Sequence, residues 1–159
     1  MAMTMKTVGL DKVMSTLAKL NKDAGKVAAE SLYEGAGIIA DAFASAAKSI
    51  RTEPFKGKRD QRLPSPEEKA AIIGKTGIAK FEANGSEVNT LIGVSGAAGY
   101  ADIGGKPKAV RLIARAINSG TSFMPEQPVF QKAKNAARGP AKAAIVKKAK
   151  DMLEEIING

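Results

Sequence analysis

A long apolar pattern between residues 24 and 50 constrains the fold more than any other part of this sequence. Large apolar side chains recur there at helical spacing, and alanines fill many of the positions between them. The pattern predicts a long helix with one broad apolar face. The large residues on that face are Val27, Leu32, Ile38, Ile39, Phe43 and Ile50.

Three glycines fall inside this predicted helix, at Gly25, Gly35 and Gly37. A glycine in a helix interior costs about 1 kcal/mol relative to alanine. A helix that keeps such glycines usually does so because another backbone packs closely against it. We therefore expect close helix packing along this segment.

The composition limits what can fill the core. The chain has 159 residues, of which 44% are hydrophobic but only 4% are aromatic. A core built from Ala, Ile, Leu, Val and Met favours closely packed helices over a bulky sandwich. The length fits a single domain that spans residues 1–159.

The N-terminal part of the chain predicts a separate helix. Residues 8–22 place apolar side chains in one narrow stripe. Asn21 and Asp23 then offer a break, and Asp23 could cap the helix that follows.

Three more helices are predicted downstream. Ser65-Pro66-Glu67-Glu68 is a strong helix start, because it combines an N-cap serine, a first-turn proline and a glutamate three residues on. This helix should stop at Gly74. Residues 110–117 predict a short helix and residues 129–158 a long one. Gly139-Pro140 should interrupt or kink the last helix, because proline lacks the backbone donor.

Two short segments between these helices have strand character. Residues 76–83 and 88–94 flank Asn84-Gly85, which is a good hairpin turn pair. The elements together predict an α+β fold, a helix-dominated single domain with two long helices, a small antiparallel sheet and a long kinked C-terminal helix.

Two segments lack a periodic apolar pattern. Residues 51–64 hold five basic and two acidic side chains, two prolines and a glycine, so they form either a solvated connector or a functional basic arm. Residues 95–108 are glycine-rich and predict a loop. Their glycines match neither the phosphate-binding nor the dinucleotide-binding spacing, so we expect no nucleotide site.

Charge and missing residue types restrict the function. The net charge is +9, which indicates an anionic partner or simply a basic protein. The chain has no Cys and no His, so thiolate and imidazole chemistry is excluded. No paired carboxylates and no Ser/Lys dyad occur at a persuasive spacing. We expect no enzymatic activity, no cofactor and no metal.

The membrane is not an expected partner. No apolar run reaches the roughly 18 residues that a spanning helix needs. The first residues lack the features of a signal peptide. We expect the protein to be made in the cytoplasm.

The charges of the last helix run in an unfavourable order. Lysines precede acidic residues, whereas the helix macrodipole favours the reverse. Either a solvated face or some contact outside the helix accounts for the order. The residues are Lys142, Lys147, Lys148 and Lys150, followed by Asp151, Glu154 and Glu155.

The order of these parts resembles a family of neck and minor tail proteins of long-tailed, lambdoid-like bacteriophages. Members open with a Gly-Leu-x-x-apolar helix, like Gly9–Val13 here, and continue with an alanine-rich helix, like residues 24–50. A Thr-Gly-x-apolar element then leads into short strands. The matching residues are Thr76-Gly77-Ile78-Ala79 and Ile92-Gly93-Val94.

The most diagnostic part of the resemblance is the segment Ile113–Phe130. Members carry an apolar turn, then Gly-Thr, then a proline-aromatic segment that leads into the last helix. Gly120-Thr121 and residues 125–130 match this order. This chain departs from the pattern at Asn118-Ser119, where an acidic residue and an aromatic are usual. The segments 51–64 and 96–108 also look like additions.

The resemblance implies a structural virion protein without enzymatic activity. Such a protein forms a homo-oligomeric ring at the head–tail junction, a hexamer first and a dodecamer second, around the DNA channel. Its neighbours are other neck and tail proteins. Four basic residues of the arm would face the DNA or an acidic neighbouring ring: Lys56, Lys58, Arg59 and Arg62.

The corner before the last helix is the candidate contact surface. Large apolar side chains cluster there beside two prolines, in a chain otherwise poor in aromatics. Rigid proline segments suit docking, because little freedom is left to lose. The alternative is a simple cap on the core. The candidate residues are Thr121, Phe123, Met124, Pro125, Pro128 and Phe130.

A different class of function rests on charge alone. A sequence-independent nucleic-acid-binding protein would also be basic. The scarcity of aromatics for base stacking and the lack of a recognisable DNA-binding motif weigh against it.

Overall fold

The structure, a computed structural model, describes residues 10–52, 61–80, 82–84, 87–94 and 100–158. Within these residues, four helices and six short strands confirm the predicted helix-dominated α+β fold. In chain order they are α1 (Leu10–Lys48), α2 (Pro66–Lys75), β1 (Thr76–Ile78), β2 (Glu82–Asn84), β3 (Glu87–Asn89), β4 (Ile92–Val94), β5 (Tyr100–Asp102), β6 (Pro107–Ala109), α3 (Val110–Ser119) and α4 (Val129–Asn158).

Helix α1 is a single helix of 39 residues. The predicted break at Asn21 and Asp23 is wrong. Neither residue removes a backbone donor or requires a non-helical conformation, so a capping signal alone does not end the helix. An exposed i,i+4 pair between Lys26 and Glu30, 3.9 Å apart, adds slight support to the helix just beyond.

Helices α1 and α4 run antiparallel and form the long body of the molecule. Phe43 meets Phe130 near the start of α4, whereas Gly35 lies against Ala141 and Ile145 further along. The pair buries small side chains, since Ala36 and Ala141 are each 2% exposed. Such a close approach of two helix backbones agrees with a composition that is poor in aromatic residues.

The predicted close packing is confirmed at one of the three glycines. A Cβ on Gly35 would lie 2.6 Å from the Ile145 Cδ1 and 3.0 Å from the Ala141 carbonyl oxygen. Around Gly25 and Gly37 a Cβ would meet nothing within 4 Å. Only Gly35 is therefore required by the approach of α4.

Helix α4 continues through Pro140 without interruption. The proline leaves the carbonyl of Ala136 without its helical donor. Ala136, Gly139 and Pro140 are all exposed, so water can reach that carbonyl on the solvent side. The predicted interruption therefore does not occur.

The small antiparallel sheet consists of two-stranded pairs. Strands β1 and β4 pair with Thr76 opposite Val94, and β2 and β3 extend the same hairpin to Asn84 opposite Glu87. The predicted turn at Asn84-Gly85 falls partly on residues 85 and 86, which lie outside the described residues.

Much of the predicted glycine-rich loop, residues 95–108, is a hairpin instead. Strands β5 and β6 pair there, and residues 95–99 lie outside the described residues. Gly104 and Gly105 have φ angles of +64° and +74°, and the Ile103 amide donates to the Lys106 carbonyl at 3.0 Å. Two adjacent residues with positive φ form the tight turn that a hairpin favours.

The main core lies where α2, α3 and the end of α1 meet the corner before α4. Its buried members among the described residues are alanine, aliphatic and methionine side chains, as the composition predicted. They are Ala47, Ile50, Ile72, Val110, Ala114, Ile117 and Met124.

Candidate functional site

The corner between α3 and α4 starts at a residue that has to be glycine. Gly120 adopts φ 70° and ψ 163°, a conformation essentially restricted to glycine. A Cβ there would also lie 3.1 Å from the Glu126 backbone nitrogen. The chain turns sharply away from α3 at this point.

Thr121 holds the next turn together. Its hydroxyl accepts hydrogen bonds from the amides of Phe123, at 3.2 Å, and Met124, at 3.1 Å. Its own amide donates to the Met124 carbonyl at 2.8 Å. Thr121 therefore fixes the loop on which Phe123 is carried.

The large side chains of the corner divide into two groups. Met124 is 5% exposed and belongs to the main core, while the rings of Phe130 and Phe43 lie 5.6 Å apart at 59°. Phe123 is 68% exposed. The half-buried Pro125 and Pro128 lie between Met124 and Phe130 in the chain. Met124 and Phe130 cap the core, and Phe123 remains free for an outside contact.

Asn118 caps α4 across twelve residues of sequence. Its side-chain oxygen accepts hydrogen bonds from the amides of Phe130, at 3.1 Å, and Gln131, at 3.2 Å. These amides belong to the first turn of α4 and have no partner within the helix. Asparagine and aspartate serve equally well at this task. The Asn118 side chain thus links the end of α3 to the first turn of α4.

Gln127 ties the corner to the end of α1 and to α3. Its side chain accepts a hydrogen bond from the Arg51 amide at 2.9 Å and donates to the Arg51 carbonyl at 3.3 Å. Its amide donates to the Ile117 carbonyl at 2.7 Å. The first residue of the basic segment 51–64 therefore rests on the corner.

The other end of the basic segment rests on the same corner. The Arg62 amide donates to the Phe123 carbonyl at 2.8 Å. Lys56, Lys58 and Arg59 lie outside the described residues. Both attachment points of the arm are nevertheless at the corner, so the two segments predicted to be functional are neighbours.

The Arg62 guanidinium is engaged with a buried carboxylate. It donates to both oxygens of Glu68, from Nη1 at 2.7 Å and from Nη2 at 2.8 Å. Lys108 Nζ lies 3.5 Å from the same carboxylate. The Glu68 side chain is 2% exposed, whereas that of Arg62 is 55% exposed. The pair fixes the end of the arm to α2.

Glu68 also completes the predicted capping box of α2. Its carboxylate accepts from the Ser65 amide at 3.0 Å, and its amide donates to the Ser65 hydroxyl at 3.1 Å. The hydrogen bonds from Arg62, opposed by burial and supported by Ser65, lower the pKa of Glu68 to about 2. The same partnership raises the pKa of Arg62.

Three features were not predicted from the sequence: the contact of Glu68 with Arg62, the Asn118 cap of α4 and the hairpin turn at Gly104-Gly105. The Ser65–Glu68 capping box was predicted, but the second role of Glu68 depends on side chains that only the fold brings near. Asn118 lay too far along the chain from α4 to suggest a cap. The Gly104-Gly105 pair, by contrast, was a readable turn signal.

Described residues also line two of the surface depressions. One, of about 630 Å³, is bounded by β1, β4 and the end of α2, with Lys75 and Arg111 at its edge. The described residues that line it include no carboxylate, so they offer no acid–base pair. The other is a shallow groove of about 390 Å³ between α1 and the first turns of α4. It is lined by Ala42, Ser45, Ala46, Ser49, Val129, Lys132, Ala133 and Ala136.

Within the described part of the chain, no group of three or more acidic, His or Cys side chains could hold a metal ion. None of the helices searched there is both long and apolar enough to cross a membrane. Comparison with known proteins found no matching family model, no matching curated protein and no matching solved structure.

Proposed function

We propose that this chain is a structural subunit of the neck or tail of a long-tailed bacteriophage. In this role it forms a homo-oligomeric ring at the head–tail junction, around the DNA channel, and completes the tail or joins it to the head. Its partners are copies of itself and neighbouring neck and tail proteins. The role requires no catalysis, cofactor or metal.

The observation that carries the proposal is Phe123. Phe123 is 68% exposed, yet the loop that carries it is held by Thr121 and by the Arg62 amide. Burial of a phenylalanine contributes about 1.5–3 kcal/mol. A loop already fixed in place loses little conformational freedom on docking. Phe123 therefore has the properties of an interface anchor.

The groove between α1 and α4 is the acceptor that we assign to Phe123 of the next subunit. A closed ring needs two different faces of one subunit, so the anchor and its acceptor must lie at separate places. The small side chains of Ala46 and Ala133 leave room there for an aromatic ring. Replacement of the exposed Ser45 by leucine should fill the groove and weaken the ring.

The described ends of the basic arm, at Arg51 and Arg62, are hydrogen-bonded to the corner that carries Phe123. In the proposed ring, Lys56, Lys58 and Arg59 face the DNA channel or an acidic neighbouring ring. Arg62 has a different task, because its guanidinium is already paired with Glu68. We assign Arg62 to anchoring the arm.

Neutralisation of the arm tests this assignment. The triple variant Lys56→Gln, Lys58→Gln and Arg59→Gln should fold normally and form rings, but the yield of joined heads and tails should fall at least about tenfold because several charge contacts are lost together. A control that neutralises the exposed Lys19, Lys22 and Lys106, which lie outside every proposed contact, keeps the total charge change equal. Normal joining by the arm variant would contradict the assignment.

The oligomeric state separates this role from the alternative, a sequence-independent nucleic-acid-binding protein. Native mass spectrometry of the purified 16.5 kDa chain should show one closed oligomer, a hexamer or a dodecamer. A monomer that binds duplex DNA, with an affinity that falls steeply between low and moderate salt, would favour the alternative.

A further inference from the structure

An exposed stripe runs along the outer face of α4. Its positions follow one another at steps of three and four residues, the spacing that keeps side chains on one side of a helix. All of them are exposed, and the side opposite packs on α1 through Ala137 and Ala141. The stripe consists of Gly139, Ala143, Val146, Lys150, Leu153 and Ile157.

The side chains of this stripe are graded in size. Its first two positions are Gly139 and Ala143. Its last part holds Leu153 and Ile157, which are 39% and 53% exposed, after Val146 at 58%. When two such helices lie antiparallel about Lys150, the small Ala143 of one faces the large Ile157 of the other. This part of the stripe is therefore complementary in shape to a reversed copy of itself.

The charges beside the stripe are complementary in the same sense. Lys147 and Glu154 are seven residues apart on the same flank of the stripe, in an order that opposes the helix macrodipole. Neither side chain forms an ion pair with another described residue of the chain. A reversed copy with its axis near Lys150 places Lys147 of one helix near Glu154 of the other. This contact explains the order of these two charges, which the helix alone does not.

We propose that α4 pairs antiparallel with α4 of a second copy through this outer face. The two-fold axis passes near Lys150. Val146 then lies opposite the partner's Leu153, and Ala143 lies opposite the partner's Ile157. A second copy is the occupant because one stripe supplies both halves of the match, in size and in charge.

The contact is short, and its strength follows from its length. From Ala143 to Ile157 the helix rises about 21 Å, at 1.5 Å per residue. The area buried is below the roughly 800 Å² per partner of a standard interface. The lysine near the axis weakens the contact further, as a polar residue does in a helical seam. Pairing is therefore weak between free subunits and strong where many copies are held together.

This contact differs in kind from a ring contact. It is isologous, since both copies use the same face, whereas ring closure is heterologous. In the proposed ring it would join two rings face to face and double their subunit number. The α4 contact uses no residue of the corner, so α4 pairing should survive the loss of the Phe123 side chain.

Engineered cysteines test the pairing directly, because the chain contains no cysteine of its own. Treatment with a short bifunctional maleimide should link Lys150→Cys to itself. Glu155→Cys, exposed but well round the helix from the stripe, is the matched control. We expect at least about tenfold faster linking at position 150, from the higher effective concentration. Equal rates at the two positions would overturn the proposal.

The direction of pairing has its own test. A mixture of Val146→Cys and Leu153→Cys variants should give mainly mixed dimers, because an antiparallel pair sets one position against the other. Dimers of Val146→Cys with itself in excess would indicate a parallel pair and overturn the proposal.

Sedimentation equilibrium measures pairing without cysteines. In the Phe123→Ala background, Lys150→Leu should tighten the dimer about tenfold, since it removes the charge from the seam, and Leu153→Lys should abolish it. An affinity unchanged by both substitutions would contradict the proposal. A closed ring of the natural chain, combined with no pairing in the Phe123→Ala background, would leave the proposed ring intact and remove only the α4 contact.

Discussion

The corner and the outer face of α4 both expose apolar side chains, but they do so in different ways. At the corner, Phe123 is carried by a loop that is hydrogen-bonded to the turn at Thr121 and to Arg62. On α4, the apolar side chains spread along a helix that α1 supports from behind. The first surface concentrates its contact in one residue, and the second distributes it.

This difference predicts how each surface responds to change. A concentrated contact fails when its single anchor is truncated, provided that the loop stays in place. A distributed contact weakens by degrees, and its strength depends on the alignment of the whole helix. Changes to the supports of the corner and of α4 should therefore separate the two surfaces.

The largest expected effect comes from the support of the corner. Arg62→Ala leaves the Glu68 carboxylate buried with the Ser65 amide at 3.0 Å and, as its remaining cation among the described residues, Lys108 at 3.5 Å. The free energy of unfolding should fall by about 3 kcal/mol. Arg51→Ala is the control, because its side chain is exposed and should cost less than about 0.5 kcal/mol. Urea unfolding of both variants makes the comparison, and equal stabilities would contradict the role given to Arg62.

Acid should weaken the same support reversibly. The pKa of Glu68 is lowered to about 2 in the folded protein, below its unfolded value of about 4.3. The carboxylate therefore stabilises the fold fully above the unfolded pKa and loses this contribution as the pH falls towards 2. We expect this loss to lower the free energy of unfolding by about 2 kcal/mol, allowing for solvent screening of the exposed Arg62.

The measurement is urea unfolding between pH 6 and 2 for the natural chain and for Glu68→Gln. The loss of stability on acidification should be smaller in the variant by about 2 kcal/mol. Parallel curves for the two proteins would show that Glu68 does not titrate in this way.

Changes to the packing of α1 against α4 should have a smaller effect on stability. Gly35→Ala places a methyl group against Ile145 and the Ala141 carbonyl, and overpacking of this kind should cost about 1.5 kcal/mol. Gly37→Ala is the matched control, because its Cβ would meet nothing within 4 Å. It should stabilise the helix by about 0.5–1 kcal/mol.

Thermal unfolding of the two alanine variants provides the measurement. Opposite shifts of the melting temperature are expected. The Gly35 variant should also weaken α4 pairing, since the position of that helix changes, and should affect the corner less. Equal shifts would mean that α4 does not approach Gly35 closely.

The sequence predicted those parts of the fold that depend on neighbouring residues. The Ser65–Glu68 cap and the β1–β4 hairpin follow from local patterns, and both are present. The apolar periodicity also located α1, although Asn21 and Asp23 suggested a break. A capping residue ends a helix only where the chain beyond it turns away, and here the helix continues.

The division of the corner could not be predicted in the same way. Phe123, Met124 and Phe130 are close in sequence and similar in hydrophobicity. Burial of Met124 depends on α2 and α3, and Phe130 contacts Phe43 from α1. Which side chain remains outside is decided by contacts across the whole chain. The pairing of Glu68 with Arg62 could not be predicted for the same reason.

The central claim is that Phe123 is the anchor of the subunit contact, and one measurement tests it most directly. Native mass spectrometry should compare the natural chain with Phe123→Ala and with Leu112→Ala, whose side chain is 56% exposed on α3. Both variants should retain their stability within about 0.5 kcal/mol, since exposed side chains contribute little to folding. The natural chain and Leu112→Ala should form the closed ring, and Phe123→Ala should not. A folded Phe123→Ala variant that still forms the ring would contradict the claim.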